Sequence, residues 1–142
     1  MKKIFLILLS VAAMTAFVSC GDKPVAADNL PQKAKTFLST YFPGIEVVSV
    51  IKDNDGYDVD LIDGTDVDFR KNGEWKNVDC EGRPVPVGFF PTGITTYVAE
   101  HYPMTFIEDI QFDHNRYEVG LNDPIDVDLI FDANGNFVRI DD

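Results

Sequence analysis

The chain is short of the side chains on which most site chemistry depends: two cysteines, Cys20 and Cys80, and two histidines, His101 and His114, in 142 residues. A four-ligand zinc centre needs more Cys and His than this. A nucleophilic triad would have to recruit His101, which falls on a helical apolar stripe, or His114, which falls in the polar turn Asp113-His114-Asn115. No enzymatic activity, cofactor or metal is therefore expected. Basic residues are scarce as well, with 12 Lys and Arg against 24 Asp and Glu, a formal net charge of -12. Such a field repels nucleic-acid phosphates and anionic headgroups, so no nucleic-acid partner is expected. Long apolar runs are also missing, apart from Ile4 to Val18 behind Lys2 and Lys3. That run is too short for a comfortable membrane span and reads as an export signal. The remainder suffices for the core of one domain, since the chain is 45% hydrophobic and 12% aromatic.

Phe17-Val18-Ser19-Cys20 resembles the lipobox of bacterial lipoproteins, although Phe17 stands where that motif usually has Leu. The resemblance implies a signal peptide of residues 1–19 and lipidation of Cys20. A second cut after Val25-Ala26-Ala27 suits an ordinary signal peptidase, and a disulfide to Cys80 is the other use of Cys20. Residues 20–29 contain Gly, Pro and Ala without periodicity and read as a tether. An acyl anchor and a tether hold a domain at a membrane surface without a spanning helix, so membrane contact is expected only through the anchor. The expected location is the periplasm or the outer membrane.

What the chain does contain is one unit written twice. A shift of sixty residues lays Leu30-Pro31 on Phe90-Pro91, Tyr41-Phe42-Pro43 on His101-Tyr102-Pro103, and Tyr57-Asp58-Val59-Asp60-Leu61 on Tyr117-Glu118-Val119-Gly120-Leu121. Asp66-Val67-Asp68 falls on Asp126-Val127-Asp128; beyond this the offset is sixty-two, pairing Asn72-Gly73 with Asn134-Gly135, Trp75 with Phe137, and Val78-Asp79 with Ile140-Asp141. The repeats span residues 30–79 and 90–142, and the Gly/Pro-rich segment 80–89 reads as a hinge inside one compact domain.

Each unit opens with a helix signal. Pro31 and Pro91 suit a first helical turn, while Ala34, Phe37, Leu38 and Tyr41, and then Ile94, Tyr97, Val98 and His101, recur at helical spacing as core stripes. Pro43 and Pro103 stop both helices. Residues 46–52 and 106–112 carry apolar positions three apart, which predicts a short strand with a bulge. Tyr57, Val59 and Leu61 then alternate with Asp58 and Asp60, the pattern of a sheet wet on one side. Asp63-Gly64 and Asn72-Gly73 are hairpin turns. Each unit is thus one helix and four antiparallel strands. A single copy leaves an edge and apolar surface open, so the expected fold is α+β, with both repeats forming one antiparallel sheet and two helices packed on one face.

The LP…YFP and FP…HYP helices, the Y-x-V-x-L strands, the DVDF and DVDL strands and the NG hairpins resemble the PepSY-like, β-lactamase-inhibitor-protein-like family of secreted Bacteroidetes proteins from Leu30 to Asp142. The resemblance implies a non-enzymatic role in which a sheet face meets another protein. No inhibitor contact residue transfers, because no matching contact motif is present.

The aspartates carry the remaining signal. Asp53-Asn54-Asp55-Gly56 and Asp132-Ala133-Asn134-Gly135-Asn136 lack the spacing and the final Glu of a calcium loop and read as turns. Asp58, Asp60, Asp66 and Asp68 are expected to form one carboxylate patch, with Glu118, Asp126 and Asp128 in a second, all in one solvated environment. Such a face is either a solubilising surface or the docking surface for a cationic partner, here an unidentified envelope protein. A divalent-cation module, with calcium as the ion, is the alternative. Cys80 is expected as a partly buried free thiol, with redox or intermolecular pairing as its other use. Trp75 and Phe137 are expected as matched hairpin residues covering the sheet end, and they and Phe89-Phe90 as core, with anchoring of a partner as the alternative.

Overall fold

A computed structural model describes residues 21–122, 124–125 and 127–141. A two-residue strand, β1 (Lys23–Pro24), leads into the first repeat, made of α1 (Gln32–Tyr41), β2 (Val47–Lys52), β3 (Gly56–Leu61), β4 (Asp66–Arg70) and β5 (Trp75–Asp79). The second repeat follows as α2 (Thr92–His101), β6 (Ile107–Asp113), β7 (Arg116–Leu121), β8 (Asp128–Asp132) and β9 (Phe137–Asp141). Pro31 and Pro91 sit at the N-caps, one residue earlier than the sequence suggests, and their carbonyls accept from Lys35 and Ile94 N–H at 3.1 Å each. Both helices stop just before Phe42-Pro43 and Tyr102-Pro103, because the residue preceding a proline is pushed out of the helical region.

The nine strands form one sheet in chain order, every neighbour antiparallel. Beneath the helices one aliphatic row crosses it: Val50, Val59, Val67, Val78, Ile110, Val119, Leu129 and Ile140, each directly opposite the next. All but Ile140 are buried. Ala34 and Leu38 of α1, and Ile94 and Val98 of α2, join the same core. Edge-on ring pairs hold the helices at equivalent places, Phe37 on Phe69 at 5.6 Å and Tyr97 on Phe131 at 5.4 Å. Burial of each large apolar side chain contributes about 1.5–3 kcal/mol, so this layer is the main stabilising feature.

The bulges predicted early in β2 and β6 are present as register shifts between Val47 and Ser49 and between Ile107 and Asp109. Two more, between Asp68 and Phe69 and between Ile130 and Phe131, put Lys76 and Val138 out of alternation. The two Asn-Gly hairpins press against the helix starts. Gly73 and Gly135 have φ of 86° and 84°, and a Cβ at either would lie 2.7 or 2.6 Å from the Pro31 or Pro91 Cβ. Only glycine satisfies both conditions.

Two expectations need correction. Residues 21–29 are not a free tether: Lys23 and Pro24 pair with Lys52 and Ile51, Val25 N–H donates to the Val50 carbonyl at 2.9 Å, and Ala27–Asn29 form a 3-10 turn. The segment covers the outer edge of β2 from Val50 to Lys52, whose backbone groups would otherwise stay open. Nor is the connection a hinge. Val85 N–H donates to Ile107 O at 2.9 Å, and Arg83 clamps the opposite turn through Asp63 Oδ2 (2.6 Å), Asp63 O (2.8 Å) and Thr65 Oγ1 (3.1 Å). Cys80 is buried beside this clamp as a free thiol, and burial pushes its pKa up.

Candidate functional site

The helices cover one face of the sheet, and alternation turns the acids to the other. One step from the aliphatic row runs a polar one: Ser49, Asp60, Asp66, Asp79, Asp109, Gly120, Asp128 and Asp141, each directly opposite the next. At about 4.8 Å between strands, this is a line of carboxylates broken once, at Gly120. Beside it lies a second row of Ile51, Asp58, Asp68, Asn77, Gln111, Glu118, Ile130 and Arg139. The predicted residues Asp58, Asp60, Asp66, Asp68, Glu118 and Asp128 thus share one face. Cys20 and Asp126 lie outside the described residues. Asp79, Asp109 and Asp141 escaped the sequence reading, and they extend the row between and beyond the two expected patches, with Gly120 as its one gap.

The break at Gly120 is a substitution between strands. In the first repeat the β2–β3 rung pairs Ser49 with Asp60; in the second, the equivalent β6–β7 rung pairs Asp109 with Gly120. The acid has moved to the neighbouring strand, and a Cβ at Gly120 would collide with the Asp109 carboxylate. Any larger residue at Gly120 would require the Asp109 carboxylate to swing aside, and the Gly120 φ is not positive.

The expectation of a uniformly wet acidic face does not hold. In the middle of the sheet each carboxyl is crowded from both sides. Asp66 Oδ1 is buried with no hydrogen-bond partner among the described residues, and Asp66 is pushed up to about 6 by burial, then by Asp60, Asp58 and Asp79. Asp68 is pushed up to about 7 by burial and by Asp66 and Asp58, with Lys76 pulling the other way. Asp58, directly opposite Asp68, is also raised, by burial first and then by Asp53, while its hydrogen bond with Asp68 favours its ionised form. Asp109 reaches about 6 through burial, Asp79 and Asp128. Burial and mutual repulsion therefore favour the protonated form of these mid-sheet carboxyls.

Elsewhere the acids are committed to turns. Asp53 Oδ1 accepts N–H bonds from Asp55 (2.7 Å) and Gly56 (2.8 Å), and Asp132 Oδ1 accepts them from Asn134 and Asn136 at 2.9 Å each. Among the described residues no group of three His, Cys, Asp or Glu is placed to hold a metal ion. His101 departs from its expected place in the core stripe: it is exposed, stacked on Tyr97 at 4.0 Å with Nδ1 3.0 Å from Tyr97 O. His114 is exposed in its turn, its Nδ1 2.9 Å from Asp113 Oδ2. Phe90 is buried, and Phe89 and Trp75 pack against the core, whereas Phe137 is exposed. At one end the face changes character, with Arg116, Arg139, Glu118 and Asp141 around a cavity of about 170 Å3 floored by Ile130. No described helix is long and apolar enough to cross a membrane.

Two copies of a helix on four strands, fused edge to edge and leaving one polar face bare, define a duplicated helix-backed sheet module. The family model described as "Putative beta-lactamase-inhibitor-like, PepSY-like" matches residues 16–61 and 55–139, and the chain belongs to this family. Its structure is similar to that of a "putative calcium-regulated periplasmic protein" from Bacteroides thetaiotaomicron, at 34% identity and a TM-score of 0.78 over 85% of this chain and 97% of that one. A putative periplasmic protein from Bacteroides vulgatus matches at 36% identity and a TM-score of 0.78, again over 85% and 97%. Another from the same species, described as of unknown function, matches at 28% identity and a TM-score of 0.81 over 86% of this chain and all (100%) of that one. No curated protein matches the chain.

Proposed function

We propose that the chain is a non-enzymatic envelope protein whose bare sheet face binds a cationic segment of an extracytoplasmic protein, restraining that protein's activity where the partner is an enzyme. The carrying observation is the row Asp60, Asp66, Asp79, Asp109, Asp128 and Asp141, in which Asp66 and Asp109 are held near 6. A Lys or Arg laid along this row lets the carboxyls ionise, so part of the cost of crowding them is recovered on binding. Export supports the reading, since the similar Bacteroides proteins are described as periplasmic, and acylation of Cys20 would hold the domain at a membrane. Intact mass of the mature N-terminus tests the anchor: a diacylglycerol adduct beginning at Cys20 is expected, and an unmodified chain beginning at Asp28 removes it.

Isothermal titration with an oligolysine peptide probes the face directly. Binding should strengthen as the pH rises from 5.5 to 8 and should release protons. Asp60→Asn with Asp66→Asn should weaken it. Affinity unchanged by both pH and these substitutions would show that the row is only solvated. A second reading, calcium bound along the row, is favoured by the description of the B. thetaiotaomicron protein as calcium-regulated. Calcium at a hundred times its Kd would stabilise the fold by about 2.7 kcal/mol, so identical melting curves with calcium and with chelator dismiss a tight site.

A further inference from the structure

The two edges of the sheet are finished differently. At one, β1 lies on β2 and brings a proline, Pro24, to the rim. At the other, β9 carries no such cover among the described residues; all five of its residues are exposed, Ile140 at 45% and Val138 at 47%. The repeat shows what a strand in this position does when it has a neighbour. β5, the equivalent of β9, pairs on its outer side with β6, placing Val78 opposite Ile110 in the buried row. Ile140 is the counterpart of Val78 and the last member of that row, and it has no neighbour beyond it among the described residues.

We infer that β9 pairs with β9 of a second copy of this chain, antiparallel across a two-fold axis through Ile140. Three observations fix the occupant and the register. First, the head-to-tail alternative, β9 on β2 of another copy, is opposed because β1 and Val25 already occupy the outer edge of β2 from Val50 to Lys52. Second, backbone parity fits. Cys80 N–H donates to Glu108 O at 3.0 Å, which makes Val78 and Ile110, two residues further along, a hydrogen-bonded pair of the antiparallel ladder. Val78 therefore turns its N–H and C=O away from β4, and by equivalence Ile140 turns its own away from β8. Two Ile140 residues on the axis can exchange both bonds. Third, charge fits. With Ile140 opposite Ile140, Arg139 of each copy faces Asp141 of the other, giving two cross-strand ion pairs from residues that pair within one chain at 3.1 Å. The aliphatic row then runs unbroken from one copy into the next, and the two sheets become one. This pairing does not depend on the acidic face having a partner.

Sedimentation velocity of the mature chain from micromolar to millimolar concentration tests the pairing. A concentration-dependent dimer is expected. Ile140→Pro removes an N–H that β8 does not use, so the monomer should keep its circular dichroism while the dimer Kd rises by about thirtyfold or more. Arg139→Asp places like charges opposite each other and should also weaken the dimer. Arg139→Asp combined with Asp141→Arg should restore it, which separates the register from a general effect on the edge. A wild-type chain that stays monomeric at millimolar concentration, or a dimer that Arg139→Asp leaves unweakened, overturns the pairing.

Discussion

Replacing Asp68 by Asn should stabilise the protein at alkaline pH and do little in acid. Folding raises the Asp68 pKa from its ordinary 3.8 to about 7, through burial first and then Asp66 and Asp58. Between roughly pH 4 and 7 the native chain thus holds a proton that the unfolded chain has lost, and stability falls as pH climbs through that window. At about 1.4 kcal/mol per pH unit, the full rise corresponds to about 4 kcal/mol above pH 7. The carboxyl keeps access to water and shares a proton with Asp58, so about 1–2 kcal/mol should survive screening. Asn removes that cost and still offers an N–H to Asp58. Urea unfolding followed by Trp75 fluorescence at pH 8 and pH 5 measures the difference. A gain of about 1–2 kcal/mol at pH 8 that shrinks to within about 0.5 kcal/mol at pH 5 is expected. Equal effects at the two pH values, or a loss at pH 8, would refute the view that crowded carboxyls in mid-sheet carry protons.

Gly120→Ala meets only the movable carboxylate of Asp109, so it should cost less than about 1 kcal/mol, and Asp109→Ala in the same chain should remove that cost in the same assay. Phe131→Ala, at a fully buried position against Tyr97, should lose about 3–5 kcal/mol. Arg83→Ala frees the connection from the Asp63–Thr65 turn and should speed proteolysis between Cys80 and Phe89, with a stability loss of about 1–2 kcal/mol; an unchanged cleavage pattern would mean that the clamp is dispensable. Asp66→Asn should raise stability at pH 8 for the same reason as Asp68→Asn, and its melting temperature should approach that of the wild type near pH 5.

The fold was legible because both periods are strong. Tyr57, Val59 and Leu61 alternate against Asp58 and Asp60, the helical stripes start at Ala34 and Ile94, and a sixty-residue shift shows each reading twice. The site was legible only in part. Asp109 lies just past the bulge that begins β6; the three-residue spacing of Ile107 and Ile110 announced the bulge but left open whether Glu108 or Asp109 faces the acidic row. Asp141 sits at the chain end, where alternation is too short to read, and Asp79 follows the bulge at Lys76. The error about solvation has another cause. Alternation says which face a carboxyl is on, but its hydration depends on how many strands flank it, and Asp66 and Asp68 stand in the interior of nine. β1 was invisible because two residues have no period; what places them is the open edge of β2.

The strand order also sets a distance. β1 and β9 are eight steps apart, and at about 4.8 Å per step the two rims are separated by roughly 40 Å. Two copies joined through β9 would double that span, leaving their β1 rims about 80 Å apart at opposite ends of one sheet. If both chains were grafted to one bilayer just upstream of β1, the joined sheet would have to lie along the membrane, like a bridge set down on two piers.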